Sequence, residues 1–441
     1  MRQSLQNAKA HYLKYEIREI VDTVHKLQSL DPTLQVEFEN IGDPVAKGWP
    51  VPPFLKKLIK EEMDSGSDAA FAYTHSRGNI ETRKWVADYA RRYSPNTPLQ
   101  YEDILFVNGL GAGIGILYSM IPAGRRILQP SPTYPTHASL EAFNAGQDPI
   151  MYDLDPENDW QPNFEDMETQ LKAHPEIVGI LLINPNNPTG AVYSAETLEK
   201  VVALAEKYDC FLISDEIYFR MVYGDTKYVQ ITEVAMNRVP LIVMRGLSKD
   251  VPWPGSRCGW LEFHNENLDP EFQTFANDLK RRILLEVCST SLPQILLPRI
   301  YDHPEFQAWQ DEYSKGLSEA IESITARLSQ VKGLKVNAAK GAFYMVPTFE
   351  PGVLNERQSL PISNPEVKAT IEALVSQPNF PLDKRFAYYL VASAGICVVP
   401  ASSFYSRHHG FRVTTLIKDS QKRAEVYDRL ATAIEAYLAS A

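Results

Sequence analysis

The sequence predicts an α/β protein: a large three-layer domain on a mostly parallel mixed sheet, joined to a small α+β domain. Three observations predict it. Short apolar, β-rich runs at residues 177–183, 210–213 and 241–244 read as buried parallel strands. Each run leads straight into a polar cluster: Asn184-Pro185-Asn186-Asn187-Pro188-Thr189-Gly190, Ser214-Asp215-Glu216-Ile217-Tyr218 and Gly246-Leu247-Ser248-Lys249. The chain, at 441 residues, exceeds what one compact core holds. In an open α/β sheet, ligands collect beyond the carboxyl ends of the strands. Three strand ends therefore offer an amide, a carboxylate and an amine to one crevice.

Composition narrows the class. A hydrophobic fraction of 44% and a charged fraction of 22% are ordinary for a soluble globular protein. A formal net charge of −11 argues against a nucleic-acid partner, which requires a basic face. Cys210, Cys258, Cys288 and Cys397 are widely spaced, with no C-x-x-C pair, which disfavours a disulfide framework or a zinc site. A polar N-terminus without an apolar h-region, and no run of about 18 apolar residues, point away from secretion and from the membrane. A cytoplasmic protein is expected. The pair His408-His409, in a Ser/Arg/Gly loop, reads as solvated rather than metal-bound.

The elements follow in order. Residues 11–29 place Leu13, Ile17, Ile20, Val21, Val24 and Leu27 at helical spacing and predict an amphipathic helix that stops before Asp31-Pro32. Residues 40–53, rich in Pro and Gly, form a connecting loop. Residues 1–54 thus make an N-terminal segment of helix and connecting loop, expected to pack on the small domain and the ligand crevice. Helical patterns alternate with strands over 55–300, the mark of a wound domain. Residues 301–441 are the small domain, with a helix from 304 to about 330, strand-like pieces at 341–346 and 396–399, and a terminal helix at 421–438. The polar, Pro-containing stretch from 350 to about 365 is expected to be a surface excursion.

The clusters suggest chemistry. The strand at 104–107 runs into Asn108-Gly109-Leu110-Gly111-Ala112-Gly113 and a helix, and a glycine-rich turn opening a helix binds anions. Ile114 breaks the G-x-G-x-x-G spacing, so a dinucleotide fingerprint fails. Arg257 can add a bidentate contact to a phosphate. Asp215, at a strand end, can hold a proton on a pyridine nitrogen or cap its own turn. Asn187 and Tyr218 can donate to a ring hydroxyl, and Tyr134 can stack on a ring face. Lys249 needs a free amine for part of a cycle, whereas an unperturbed lysine, with a pKa of roughly 10.4, stays protonated. Imine formation, burial and Arg257 all favour the uncharged nitrogen.

With these motifs in the order N-P-x-N-P-T-G, S-D-E-x-Y and S-K…P-G-x-R, the chain resembles the class I/II aminotransferases, pyridoxal-phosphate enzymes of fold type I. It is most similar to their alanine-aminotransferase-like branch, which shares the G-L-S-K motif. The resemblance runs from about Tyr15 to Leu438. It implies pyridoxal 5′-phosphate bound as a Schiff base to Lys249, which then moves the proton at Cα. It implies Asp215 on the pyridine nitrogen, Asn187 and Tyr218 on the ring hydroxyl, and Tyr134 on the ring. Gly109, Leu110, Gly111, Ser248 and Arg257 would hold the phosphate. Tyr73, in the pattern Tyr73…Gly78…Arg83, would reach the phosphate of a second subunit, which implies a homodimer with shared sites. Arg412 and Gly42 would take the substrate α-carboxylate. Tyr15 and Arg18 match an N-terminal Y-x-I-R; Arg18 is then either a contact for the distal carboxylate of 2-oxoglutarate or the polar face of a helix.

Three features depart from the commoner pattern. Gly246 stands where many members carry a phosphate-binding serine, Pro252-Trp253-Pro254 stiffens the loop after Lys249, and Cys258 replaces an aliphatic residue. The implied activity is amino-group transfer between an L-amino acid and a 2-oxo acid by a ping-pong cycle. A carbon–sulfur β-elimination lyase or an aminocyclopropane-carboxylate-synthase-like enzyme would use the same groups. A non-enzymatic regulator is disfavoured, because every expected catalytic residue is present. Arg281 and Arg282 are either a second carboxylate contact or a charged helix face.

Overall fold

The structure, a computed structural model, describes residues 5–440. Eight strands form the main sheet: β1 (Ile104–Asn108), β2 (Arg126–Ser131), β3 (Met151–Asp155), β4 (Gln161–Pro162), β5 (Ile177–Ile183), β6 (Phe211–Asp215), β7 (Leu241–Gly246) and β8 (Cys258–His264). Their spatial order is β1-β8-β7-β6-β5-β2-β3-β4. The run β7-β6-β5-β2-β3 is parallel throughout. β8 is antiparallel to both neighbours, and β4 is antiparallel to β3. The expected mostly parallel mixed sheet is thus found.

Strand alternation builds the three layers, because successive side chains point to opposite faces. Leu182, Leu212, Leu241 and Val243 pack on one face against Leu198, Val201 and Val202 of the helix Ala195–Lys207. Leu181, Ile183, Ile213 and Met244 pack on the other, against Leu117 of the helix Leu110–Ser119 and Ala276 of the helix Pro270–Arg282. In register, Ile183 lies beside Asp215 and Asp215 beside Met244, so β5 and β6 end level and β7 runs two residues further, to Gly246.

A second core follows the main sheet. The long helix Phe306–Leu328 packs on the terminal helix Ser420–Leu438, over a three-stranded antiparallel sheet of Tyr344–Met345, Phe411–Thr414 and Val399–Pro400. The N-terminal chain joins this half: Glu37–Phe38 pairs in parallel with Ile396–Cys397.

Several expectations need correction. The N-terminal helix begins at Glu16, not 11; Ala10–Tyr12 is a short 3-10 turn, and Leu13 is exposed. Its buried residues are Ile17, Ile20, Val24 and Leu27. The piece 341–346 yields only a two-residue strand, since Gly341 N donates to Gly190 O and Ala342 N to Met221 O instead of to a strand. The stretch 350–365 is not a plain surface excursion. Leu354, Gln358 and Leu360 are buried, and Gln358 Nε2 donates to Val353 O at 2.9 Å and to Leu438 O at 3.5 Å. His408 and His409 are not simply solvated; they face Asp153 and Asp383 at 3.0 and 3.7 Å. The helices Pro365–Val375 and Leu382–Ala394 escaped the sequence reading.

Candidate active site

The carboxyl ends of β5, β6 and β7 open into a cavity of about 550 Å³. Its lining includes Tyr15, Arg18, Gly42, Leu110, Gly111, Tyr134, Asn187, Asp215, Tyr218, Ser248, Lys249, Arg257 and Arg412. Residues from nearly the whole length of the chain thus meet at one place. Gly109 sits just behind the wall, and Tyr73 lies outside it, 85% exposed.

One end of the cavity is built for an anion. The helix Leu110–Ser119 begins at the cavity, so the free N–H groups of its first turn face inward. Gly109 has φ +75°, and a Cβ there would run into the Arg257 guanidinium. Arg257 has no carboxylate partner among the described residues; it donates only to Pro254 O at 3.2 Å and Asn108 O at 3.4 Å. A cation and free helix N–H groups flanking open space suit a phosphate. Gly246 is explained by the same packing: a Cβ there would lie 2.7 Å from Cys258 O and 3.1 Å from Gly259 Cα, so no serine fits this backbone. Burial pushes the Cys258 thiol up to about 12, which keeps it inert.

Asp215 stands in the middle. Its Oδ1 accepts Ile217 N at 3.1 Å, and its Oδ2 lies 3.2 Å from His137 Nε2. His137 is fully buried and meets the Tyr118 hydroxyl at 3.1 Å through its other nitrogen. Sequence reasoning missed His137, because a lone histidine inside a helix carries no motif. Tyr134 heads that same helix, Pro135–Ala145, and its hydroxyl is 3.5 Å from that of Tyr15. Burial, then the nearby Tyr344 hydroxyl, raise the Tyr218 phenol well above its ordinary range, so it stays a donor. Tyr218 gives its proton to Tyr344, a second residue the sequence did not single out. Lys249 Nζ donates to Gly42 O at 2.9 Å.

The opposite end is also cationic. Arg412 is 3% exposed, yet no carboxylate pairs with it among the described residues. It donates to Asn40 O at 2.7 Å and Asn187 Oδ1 at 3.2 Å, while its buried Nε has no partner among the described residues. The Tyr344 and Phe404 rings sandwich it at 4.4 and 4.7 Å. Gly42 is pressed against Tyr344, leaving no room for a side chain. Arg18 lines the mouth, exposed, with no ion pair among the described residues. Arg281 and Arg282 pair instead with Asp278 and Glu286, outside the cavity lining. Four cations (Arg18, Lys249, Arg257, Arg412) against two carboxylates (Asp43, Asp215) make the cavity basic in an acidic chain, suited to a ligand with several negative groups. The residues present fit pyridoxal phosphate: an anion cradle, a carboxylate and a lysine amine line the same space.

Comparison with known proteins agrees. Residues 45–430 match the family model described as aminotransferase class I and II. The chain belongs to that family, and is a pyridoxal-phosphate-dependent aminotransferase of fold type I. It is 41% identical, over 99% of its own length and 100% of the relative's, to an uncharacterized aminotransferase of Methanocaldococcus jannaschii. It is 27% identical to the tyrosine aminotransferase of Mus musculus over 88% of this chain and 78% of that one. The alanine aminotransferase of Pyrococcus furiosus superposes with a TM-score of 0.82, at 27% identity, covering 98% of this chain and 99% of the other. No helix among the described residues is long and apolar enough to cross a membrane.

Proposed function

We propose that the protein transfers an amino group from an L-amino acid to a 2-oxo acid, with 2-oxoglutarate as acceptor, in a ping-pong cycle. The observation that carries this reading is Arg412. A buried guanidinium without a counter-charge is costly unless a ligand supplies one, and an α-carboxylate does so with matching fork geometry. When bound, pyridoxal phosphate supplies a carbonyl carbon that accepts the amino group and a ring that draws electrons from Cα.

The chain's own residues do the rest. The first turn of the helix Leu110–Ser119, Ser248 and Arg257 hold the phosphate; Asp215, fixed by Ile217 N and His137, holds a proton at the ring nitrogen. Asn187 would donate to the ring hydroxyl, as would Tyr218 on turning from Tyr344, and Tyr134 would cover the ring face. Lys249, kept near Gly42 O, moves the proton at substrate Cα. Arg412 and Gly42 orient the α-carboxylate. Arg18, an exposed cation at the mouth, receives the distal carboxylate of the acceptor.

A homodimer with shared sites belongs to the same reading. Phe71, Tyr73, Leu285 and Val287 are 75%, 85%, 79% and 52% exposed, and Ser291 Oγ bonds Ala72 O at 2.7 Å, which joins the two segments into one apolar patch.

The test is the visible absorbance spectrum of the holoenzyme with single amino acids, before any oxo acid is added. Conversion of the cofactor band to the amine form identifies the donor, and 2-oxoglutarate should then restore it. A band that never converts, while β-substituted amino acids yield pyruvate and ammonia, would replace transfer with elimination.

A further inference from the structure

Residues 404–408 run along the seam between the main sheet and the C-terminal sheet. They are bonded across it almost continuously. Thr133 N donates to Phe404 O at 2.9 Å, and Ser131 Oγ to Tyr405 O at 2.7 Å. Arg407 gives Nη1 to Asp166 Oδ2 at 2.7 Å and Nη2 to Met151 O at 2.9 Å. His408 Nε2 lies 3.0 Å from Asp153 Oδ2, and its ring meets Trp160 edge-on at 5.9 Å. The two acids are linked, since Asp153 N donates to Asp166 Oδ2 at 2.7 Å.

The same stretch feeds directly into Phe411–Thr414, the strand that carries Arg412. Little slack separates them. Ala401 N donates to Gly410 O at 2.9 Å and Phe411 N to Pro347 O at 3.1 Å. A Cβ at Gly410 would lie 3.1 Å from Thr348 Cα, so the backbone there is wedged. His409 turns the other way, to Asp383 at 3.7 Å, within the C-terminal half. The path along the chain from His408 to Arg412 is therefore short and held by backbone bonds.

We propose that Arg407 and His408 form a clasp across the seam that sets how far Arg412 reaches toward Asn187. They are positioning residues for carboxylate binding and touch no substrate. The proposal rests on the reading of Arg412 as the carboxylate anchor. It assigns a role to a histidine motif that the reaction itself does not use. Each ion pair is partly exposed and weak alone, but the two share linked acceptors and act on one rigid loop.

The test compares holoenzyme variants Arg407→Ala, His408→Ala, the double variant and His408→Gln, which keeps an amide donor and similar bulk. The readouts are KM and kcat for the amino donor, the inhibition constant of propanoate, and amide hydrogen exchange over 411–414. KM and the inhibition constant should rise together, by about threefold for each alanine variant and about tenfold for the double, with kcat within about twofold. Exchange over 411–414 should quicken while β5–β7 stay protected, and His408→Gln should recover most of the loss. Carboxylate constants at wild-type values, a fall in kcat alone, or His408→Gln matching His408→Ala would each overturn the clasp. Arg412→Lys separates the two layers of argument. If it weakens propanoate binding while the clasp variants do not, only the clasp fails; if it leaves binding unchanged, the anchor reading itself fails.

Discussion

Asp215 divides its two oxygens between two neighbours, and so reconciles the turn-cap reading of its position with a place facing the cavity. Oδ1 fixes the backbone of Ile217, while Oδ2 is held by His137. Replacing His137 with leucine removes a buried hydrogen bond to a charged group. That is worth about 1.5 kcal/mol, or about a tenfold fall in kcat when felt in the transition state, to be checked by steady-state kinetics. Asp250, beside Lys249, is a second buried acid. Burial pushes its carboxyl up to about 6 against the opposing pull of the Tyr301 hydroxyl and the Arg220 charge. Between its unfolded and folded values the native state binds more protons, so its contribution to stability falls as pH rises from about 4 to about 6. Asp250→Asn should therefore gain on the wild type by up to about 3 kcal/mol across that window, read from urea unfolding at the two ends. The sequence exposed Lys249, Asp215 and Arg412 because each sits in a motif. It hid His137, Tyr344 and Asp250, whose partners lie far away along the chain.

At the scale of elements, the strands of the main sheet were legible because buried parallel strands are unbroken apolar runs. The piece 341–346 was not, since Gly341 and Ala342 spend their backbone donors on Gly190 and Met221. Nor was the packing of 350–365, which depends on Gln358 reaching the end of the terminal helix. β7 and β8 meet at Gly246 and Gly259: the bare Gly259 lets Leu110 approach the sheet, and the bare Gly246 lets β8 itself lie close. Introducing a serine there, Gly246→Ser, should overpack this junction. We expect a loss of about 1–3 kcal/mol in thermal or urea unfolding, together with weaker cofactor retention on dialysis.

Across the whole molecule, the acidic chain surrounds one basic cavity, and an apolar patch stands open nearby. If that patch forms the proposed homodimer interface, Leu285→Asp should shift the sedimenting species from dimer toward monomer. If Tyr73 crosses to a second subunit, co-expressed Lys249→Ala and Tyr73→Ala chains should regain activity of about a quarter of wild type, because half the dimers carry one intact site. Activity no greater than that of the Tyr73→Ala enzyme alone would place Tyr73 elsewhere. The mouth of the cavity is assembled differently from its floor. Tyr15, Ile17, Arg18 and Val21 come from one short stretch near the N-terminus, whereas the rest of the lining is drawn from Asn40 to Arg412. On the proposed role of Arg18, exchanging that stretch with one from another chain of this architecture should alter the preference among acceptors, and the 3.5 Å contact between the Tyr15 and Tyr134 hydroxyls makes Tyr15 the position to keep.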